Sequence, residues 1–259
     1  MEKSKYSAAK TVMKAFDLLE TLSRRQPVKA TELARELGWT RSNLYRLLET
    51  LQGIGYVEKD LNSEYCLGIK LFVLGNSAQG IDRLSAIARP YMVALGELSE
   101  ETVNLAIRHE DKVLYVDKVK SPHYLRLDQP IGKTDPLHCT ALGKVLLSGL
   151  TDGRLKDLLS SLELVPYTKR TITDPEVLTS VVRNVGKRGY GTDLEELSAG
   201  IHCIAAPIRG HANNVIAALG ISGPTVRLTE QKLDEIQVRL IDAVKEISRK
   251  MGYTKYLTA

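Results

Sequence analysis

Cysteine is scarce in this 259-residue chain, with only Cys66, Cys139 and Cys203. They lie far apart and form no C-x-x-C pair, which argues against a structural zinc site and against any bound metal. An odd, sparse set of thiols suits a reducing compartment, not a disulfide-built secreted fold. Long apolar runs are also missing. No stretch approaches the roughly 18 residues that a membrane span needs. The opening MEKSKYSAAK has no apolar core of the kind a signal peptide carries. The sequence therefore predicts a cytoplasmic protein that does not engage a membrane. Excess charge is small, +5 overall. It is unevenly spread, because residues 1–60 hold eleven Lys/Arg against eight Asp/Glu. Positive charge concentrated at one end is what a polyanion-binding module needs.

The spacing of Val12, Ala15, Phe16, Leu19 and Leu22 predicts a helix over 8–24 with those residues on one buried face. Pro27 stops it. Thr31 is positioned to cap a short helix over 32–37, and Gly38 to end that helix in a sharp turn. Thr40 is the expected N-cap of the next helix, its hydroxyl on the first free amides. Leu44, Leu47, Leu48 and Leu51 are the inner stripe of that helix. Two short alternating runs, GYVEKD and SEYCLG, surround Leu61-Asn62 and read as a β-hairpin. Two helices joined by a glycine turn, with Ala34 small at their crossing, form a helix-turn-helix. Its second helix leaves Arg41, Ser42, Asn43, Tyr45 and Arg46 outside, and the hairpin adds Lys59 near its tip. Arg and Asn can read guanine and adenine edges, while hydroxyls and a helix N-terminus suit phosphates. The candidate DNA-binding residues are thus Thr40, Arg41, Ser42, Asn43, Tyr45, Arg46 and Lys59.

A linker helix is expected over 69–82, followed by a helix over 83–100 that Pro90 kinks or restarts. Beyond residue 100, TVNLAIRH, KVLYVDKV and YLRLDQ alternate and predict an antiparallel meander. Helices follow near 140–150 and 152–162, and Asp174-Pro175-Glu176 opens another. GYGTDLEE, HCIAAPIR and NVIAALGIS return to strands, and an amphipathic helix over 229–251 closes the chain. The pattern is α+β. The helix beginning near Thr140 offers free amides to an anion. Ala141 and Gly143 are small enough there to admit a ligand close to the backbone. Asp193 lies in or at the end of a strand, with Glu195 and Glu196 beyond it as surface charges. A carboxylate near an anion site needs a donor between them, and a hydroxylated acid supplies one.

Residues 8–75 resemble the winged helix-turn-helix of the IclR family of bacterial transcription regulators. The longer motifs PLHCTALGKVLLS (136–148), GYGTDLEELSAGIHCIAAPI (189–208) and ALGISGPTVRL (218–228) carry the same resemblance over nearly the whole chain. RTITD and MGYTKY further resemble the subgroup that responds to 2-keto-3-deoxygluconate and related sugar acids. The resemblance implies a winged helix-turn-helix over 1–68, a linker helix over 69–82 and a GAF-like effector-binding domain with an antiparallel sheet over 83–259. It implies a repressor of operator DNA, acting as a homodimer or a tetramer and controlled by a small organic acid, with no catalytic residues and no cofactor. The positions matching the family's ligand contacts are Leu127, Ala141, Leu142, Asp193, Ile201, Cys203, Gly220 and Ser222, beside the cap residue Thr140. Gly220 stands where some members have serine, which removes a donor, enlarges the pocket and favours a sugar acid over glyoxylate. Two rivals remain. One is an enzyme using Cys139 or Cys203 with an N-terminal nucleic-acid-binding module. The other is a non-specific nucleic-acid-binding protein with an oligomerisation domain.

Overall fold

The computed structural model describes residues 9–76 and 80–253. The chain divides into two compact units, Met1–Gln79 and Gly80–Ala259. The first residue of the predicted opening helix and part of the predicted 69–82 linker lie outside the described residues.

In the first unit, helix α1 (Lys10–Arg24) leads through the short strand β1 (Val28–Lys29) to α2 (Ala30–Leu37) and α3 (Arg41–Gly53). Strands β2 (Val57–Lys59) and β3 (Glu64–Leu67) then form the expected hairpin. β3 is the central strand of a three-stranded sheet ordered β1-β3-β2, with Val28 opposite Tyr65 and Lys59 opposite Tyr65 on the other edge. β1 has no signal in the sequence, because two residues are too few for alternation to show. The core gathers Leu18 and Leu22 of α1, Leu33 of α2, Leu44 and Leu48 of α3, and Val57 and Tyr65 of the sheet. The predicted stripe of α1 needs correction. Val12 and Phe16 are 53% and 59% exposed, and Leu18 takes the core position instead. The apolar arc of α1 is wider than the core can cover, so the helix carries an inner stripe and an outer one. Thr31 is not a cap, since the helix begins at Ala30 after Lys29. Helix α4 (Ile69–Asn76) closes the described part of the unit.

The second unit opens with α5 (Ile81–Ser99), which continues through Pro90. Strands β4 (Thr102–His109) and β5 (Lys112–Val119) follow as the first two arms of the expected meander. The third arm, YLRLDQ, is not a strand, and Tyr124 and Leu125 are exposed. Strand β6 (Thr134–Pro136) takes the free edge of β5 instead. The backbone around 125–129 is held by side chains, as Thr102 Oγ1 donates to Leu127 O at 2.6 Å and Arg227 Nη2 to Leu125 O at 2.8 Å. Helices α6 (Ala141–Leu147), α7 (Asp152–Ser161) and α8 (Pro175–Arg188) precede strands β7 (Gly191–Leu194), β8 (Ile201–Arg209) and β9 (Val215–Pro224) and the final helix α9 (Glu230–Lys250). Asp174 caps α8 as predicted, accepting the amides of Glu176 and Val177.

The sheet is ordered β6-β5-β4-β9-β8-β7, and every adjacent pair is antiparallel. One face packs Val103, Leu105, Ile204, Ala206, Leu219 and Ile221 against Leu84, Met92, Leu240 and Val244 of α5 and α9. The other presents Ala106, Ala205 and Ala218 to Leu142, Val145 and Leu146 of α6, with Leu178 and Val182 of α8 behind. Small residues on this second face let α6 approach closely, and the site lies at that end. Among the described residues no helix is long and apolar enough to cross a membrane.

Candidate functional site

Each unit holds one candidate surface. In the first, Gly38 adopts φ +66°, a left-handed conformation that ends α2 and turns the chain toward α3. The Trp39 amide donates to Ala34 O at 3.0 Å and closes the turn. Leu44, Leu47, Leu48 and Leu51 hold α3 down. Arg41, Ser42, Tyr45, Arg46 and Glu49 are left exposed and Asn43 half-buried. Thr40 is the N-cap of α3, but its hydroxyl makes no capping bond, contrary to expectation. Lys59 lies at the hairpin end, its Nζ 5.4 Å from the Tyr65 ring centroid. Asp60 Oδ1 accepts the amides of Asn62 and Glu64 and shapes the tip. The outer face of α3, beside a small wing, is thus largely exposed.

In the second unit a cavity of about 250 Å³ opens at the α6 end of the sheet. All nine effector positions expected from the sequence line it: Leu127, Thr140, Ala141, Leu142, Asp193, Ile201, Cys203, Gly220 and Ser222. Its floor follows from strand register. Asp193 stands opposite Cys203, and Cys203 opposite Ser222, on three adjacent strands. Thr140 caps α6, accepting the Gly143 amide at 3.0 Å and donating to Pro136 O at 2.8 Å. Its carbonyl accepts the Lys144 amide. The amides of Ala141 and Leu142 keep no protein acceptor among the described residues.

Glycines act differently here from the sequence expectation. A Cβ on Gly143 would fall 2.2 Å from Leu137 O, so this glycine admits the protein's own backbone and not a ligand. A Cβ on Gly220 would stand 3.0 Å from Leu142 Cδ2. Leu142 therefore occupies much of the space that a missing serine side chain was expected to open.

Asp193 is buried, and burial pushes its carboxyl up to about 6. The Glu196 amide, donating to Oδ1 at 2.7 Å, and nearby Lys144 pull the other way. Sequence reasoning missed what lies beneath. Lys144 Nζ pairs with Glu196 Oε1, and their side chains are 2% and 11% exposed. Glu196 is therefore not the surface charge it was expected to be. Glu195 is half-exposed, with Oε1 accepting the Gly200 amide at 2.8 Å. A signal for Lys144 existed, because one lysine inside the otherwise apolar ALGKVLL needs a buried partner. Tyr115, Gln129 and Asp135 also line the cavity without having been anticipated. The Tyr115 hydroxyl donates to Asp135 Oδ2 at 2.9 Å, and Lys133 Nζ lies 3.2 Å from Asp135 Oδ1. Burial and Asp135 raise the Tyr115 phenol well above its ordinary range.

The thiols do not suit nucleophilic chemistry. Burial pushes Cys139 up to about 12 and also raises Cys203, so both stay protonated near neutral pH. Burial holds His138 below its ordinary value, and its Nε2 bonds Val165 O at 3.0 Å.

A recognition helix with a wing, joined in one chain to a sheet domain enclosing a metabolite-sized cavity, defines a ligand-responsive DNA-binding regulator. Two family descriptions match the chain: the IclR helix-turn-helix domain over residues 11–61 and the bacterial transcriptional regulator IclR C-terminal over residues 79–249. The chain belongs to the IclR family of DNA-binding transcriptional regulators, whose members are regulators and not enzymes. It is 39% identical over 248 residues to the HTH-type transcriptional regulator KdgR of Escherichia coli K12, covering 95% of this chain and 94% of that one. It is 33% identical to the acetate operon repressor of Salmonella typhimurium, covering 95% and 91%. Among solved structures, the Thermotoga maritima IclR matches with a TM-score of 0.80 and 32% identity, over 95% of this chain and all of that one.

Proposed function

We propose that this regulator is a repressor released from its operator by a small hydroxylated organic acid bound in the second unit. The observation that carries the reading is the pairing, in one cavity, of the buried Asp193 carboxyl with the unpartnered amides of Ala141 and Leu142. An effector carboxylate bonds those amides, and its hydroxyl donates to Asp193, separating two charges that would otherwise repel. The cavity is smaller than the roughly 300–1,000 Å³ of sites for drug-sized ligands, which favours a metabolite. The resemblance of RTITD and MGYTKY to the sugar-acid-responsive subgroup directs the choice toward sugar acids. Thr140, Leu127, Ile201, Cys203, Gly220 and Ser222 complete the site.

On the DNA side, Thr40, Arg41, Ser42, Asn43, Tyr45, Arg46 and Lys59 contact the operator. Two copies read two half-sites. The outer stripe of α1 (Val12, Phe16) and the exposed Ile69, Phe72 and Leu74 of α4 supply apolar surface for pairing copies, which supports a homodimer or a tetramer. The working division is 1–68 for DNA, 69–82 as linker and 83–259 for effector.

A panel of sugar and keto acids tested by thermal unfolding checks the reading. The right class raises the melting temperature by mass action. Asp193→Ala abolishes that rise while DNA binding persists. A variant that keeps its full response moves the effector site elsewhere.

A further inference from the structure

The cleft between α1 and α3 borders the DNA-binding surface described above and shares Asn43 and Arg46 with it, but its α1 wall belongs to neither site. Lys10, Thr11 and Lys14 form one wall, and Asn43, Arg46 and Leu47 form the other, around about 120 Å³. Three cations and two uncharged donors converge, and no carboxylate is in the lining. Among the described residues Lys10, Lys14, Arg41 and Arg46 have no ion pair, whereas Arg25 of the same unit bonds Glu32 at 2.8 Å. Gathering like charges without an internal partner creates a field suited to an external anion.

Lys14 is also held in place. It is half-buried, and its Nζ lies 5.4 Å from the ring centroid of Trp39, the residue just before the cap of α3. An ammonium held over an indole face by cation–π attraction stays in one region, at the edge of the cleft. Lys10 is one turn earlier on the same side of α1. A helix lying in the major groove is bordered by sugar-phosphate backbone, so donors on the neighbouring helix meet phosphates and not base edges.

We infer that the α1–α3 cleft clamps one phosphate of the DNA backbone, with Lys10, Thr11 and Lys14 as positioning residues that fix how α3 enters the groove. The inference rests on the DNA-binding role of the family and is independent of the effector reading. It adds Lys10, Thr11 and Lys14 to the surface expected from the sequence.

The test uses the full chain and a duplex recovered from a random library by selection on the wild-type protein. Lys14→Gln and Lys10→Gln/Lys14→Gln are compared with wild type by fluorescence anisotropy across salt concentrations. Each lost phosphate contact lowers the slope of log K against log salt by about 0.9, so the affinity drop between 50 and 200 mM salt shrinks about 3.5-fold. Repeating the selection on the variants returns the same sequence preference. Ethylation of one backbone phosphate weakens wild type but not the double variant. Unchanged melting temperatures exclude misfolding as the cause. Identical salt slopes and ethylation patterns in all three proteins overturn the inference, and so does an altered base preference. A stabilising response to inorganic phosphate that the variants lose, with DNA binding intact, assigns the cleft to a free anion and overturns it too. Absence of DNA binding by wild type removes the regulator reading itself, a separate failure.

Discussion

Replacing Asp193 by Asn should make the effector-free protein more stable while removing its response to the effector. The carboxyl is raised from 3.8 to about 6, chiefly by burial. Because the folded chain holds this proton to higher pH than the unfolded chain, the folded state binds more protons between those values. Stability is therefore lost as pH rises across that window, and the full cost is present above it. At 1.36 kcal/mol per pH unit the ionised side chain costs the fold about 3 kcal/mol at pH 7.5. Asparagine keeps an acceptor for the Glu196 amide but carries no charge, so Asp193→Asn should recover about 1–3 kcal/mol at pH 7.5 and little at pH 4. Urea unfolding followed by circular dichroism measures it. The single tryptophan, Trp39, lies in the other unit, so its fluorescence reports separately on Met1–Gln79. Effector affinity supplies the matching arm. If the ligand hydroxyl needs ionised Asp193, wild-type affinity falls about tenfold from pH 7 to pH 5, tracking the ionised fraction. A variant no more stable than wild type at pH 7.5, or a wild-type affinity flat across this range, refutes the reasoning.

Three other outcomes are expected. Lys144→Met leaves Glu196 buried without its cation and should destabilise the effector unit by about 3–5 kcal/mol, whereas Lys144→Met with Glu196→Gln recovers part of that loss, read as a shift in the urea midpoint. Gly143→Ala drives a Cβ into the Leu137 carbonyl and should displace the first turn of α6, weakening effector-induced thermal stabilisation at least tenfold in ligand affinity, by a mechanism of overpacking. Arg46→Ala should cost about 1–3 kcal/mol at a selected duplex and relax the base preference, and an unchanged preference would remove Arg46 from base reading.

The fold was readable where local chemistry decides it. The left-handed Gly38, the leucines of α3, the Asp174 cap and the apolar, β-rich runs of β8 and β9 each declare themselves within a few residues. Reading failed where the deciding partner is remote. YLRLDQ alternates like a strand, yet β6 holds the available edge and Arg227 and Thr102 hold the loop's carbonyls. The arc of α1 reads as one face because a sequence does not say where the core ends. Gly143 and Gly220 read as openings for a ligand, and only packing shows that Leu137 and Leu142 approach them. The nine cavity positions expected from the sequence converge, but Tyr115, Gln129 and Asp135 come from separate segments with no motif of their own.

The two faces of the six-stranded sheet separate stability from response. On the α5–α9 side, Val103, Leu105, Ile204, Leu219 and Ile221 pack into apolar surface, where each contact favours folding. On the α6 side the sheet carries Asn104, Asp193 and Ser222, and α6 adds Lys144. Asn104 Oδ1 and Glu196 Oε2 are buried without a hydrogen-bond partner. Such groups weaken an empty fold, since burial without a partner costs about 1–3 kcal/mol apiece. A face selected for stability alone would carry leucine or alanine at these positions, as the opposite face does apart from His202, whose Nδ1 is paired with Leu228 O at 2.8 Å. On the proposed reading, an acid that bonds the Ala141 and Leu142 amides and Asp193 adds stability to this side only when bound. Coupling that binding to DNA needs only about 1–3 kcal/mol of its free energy.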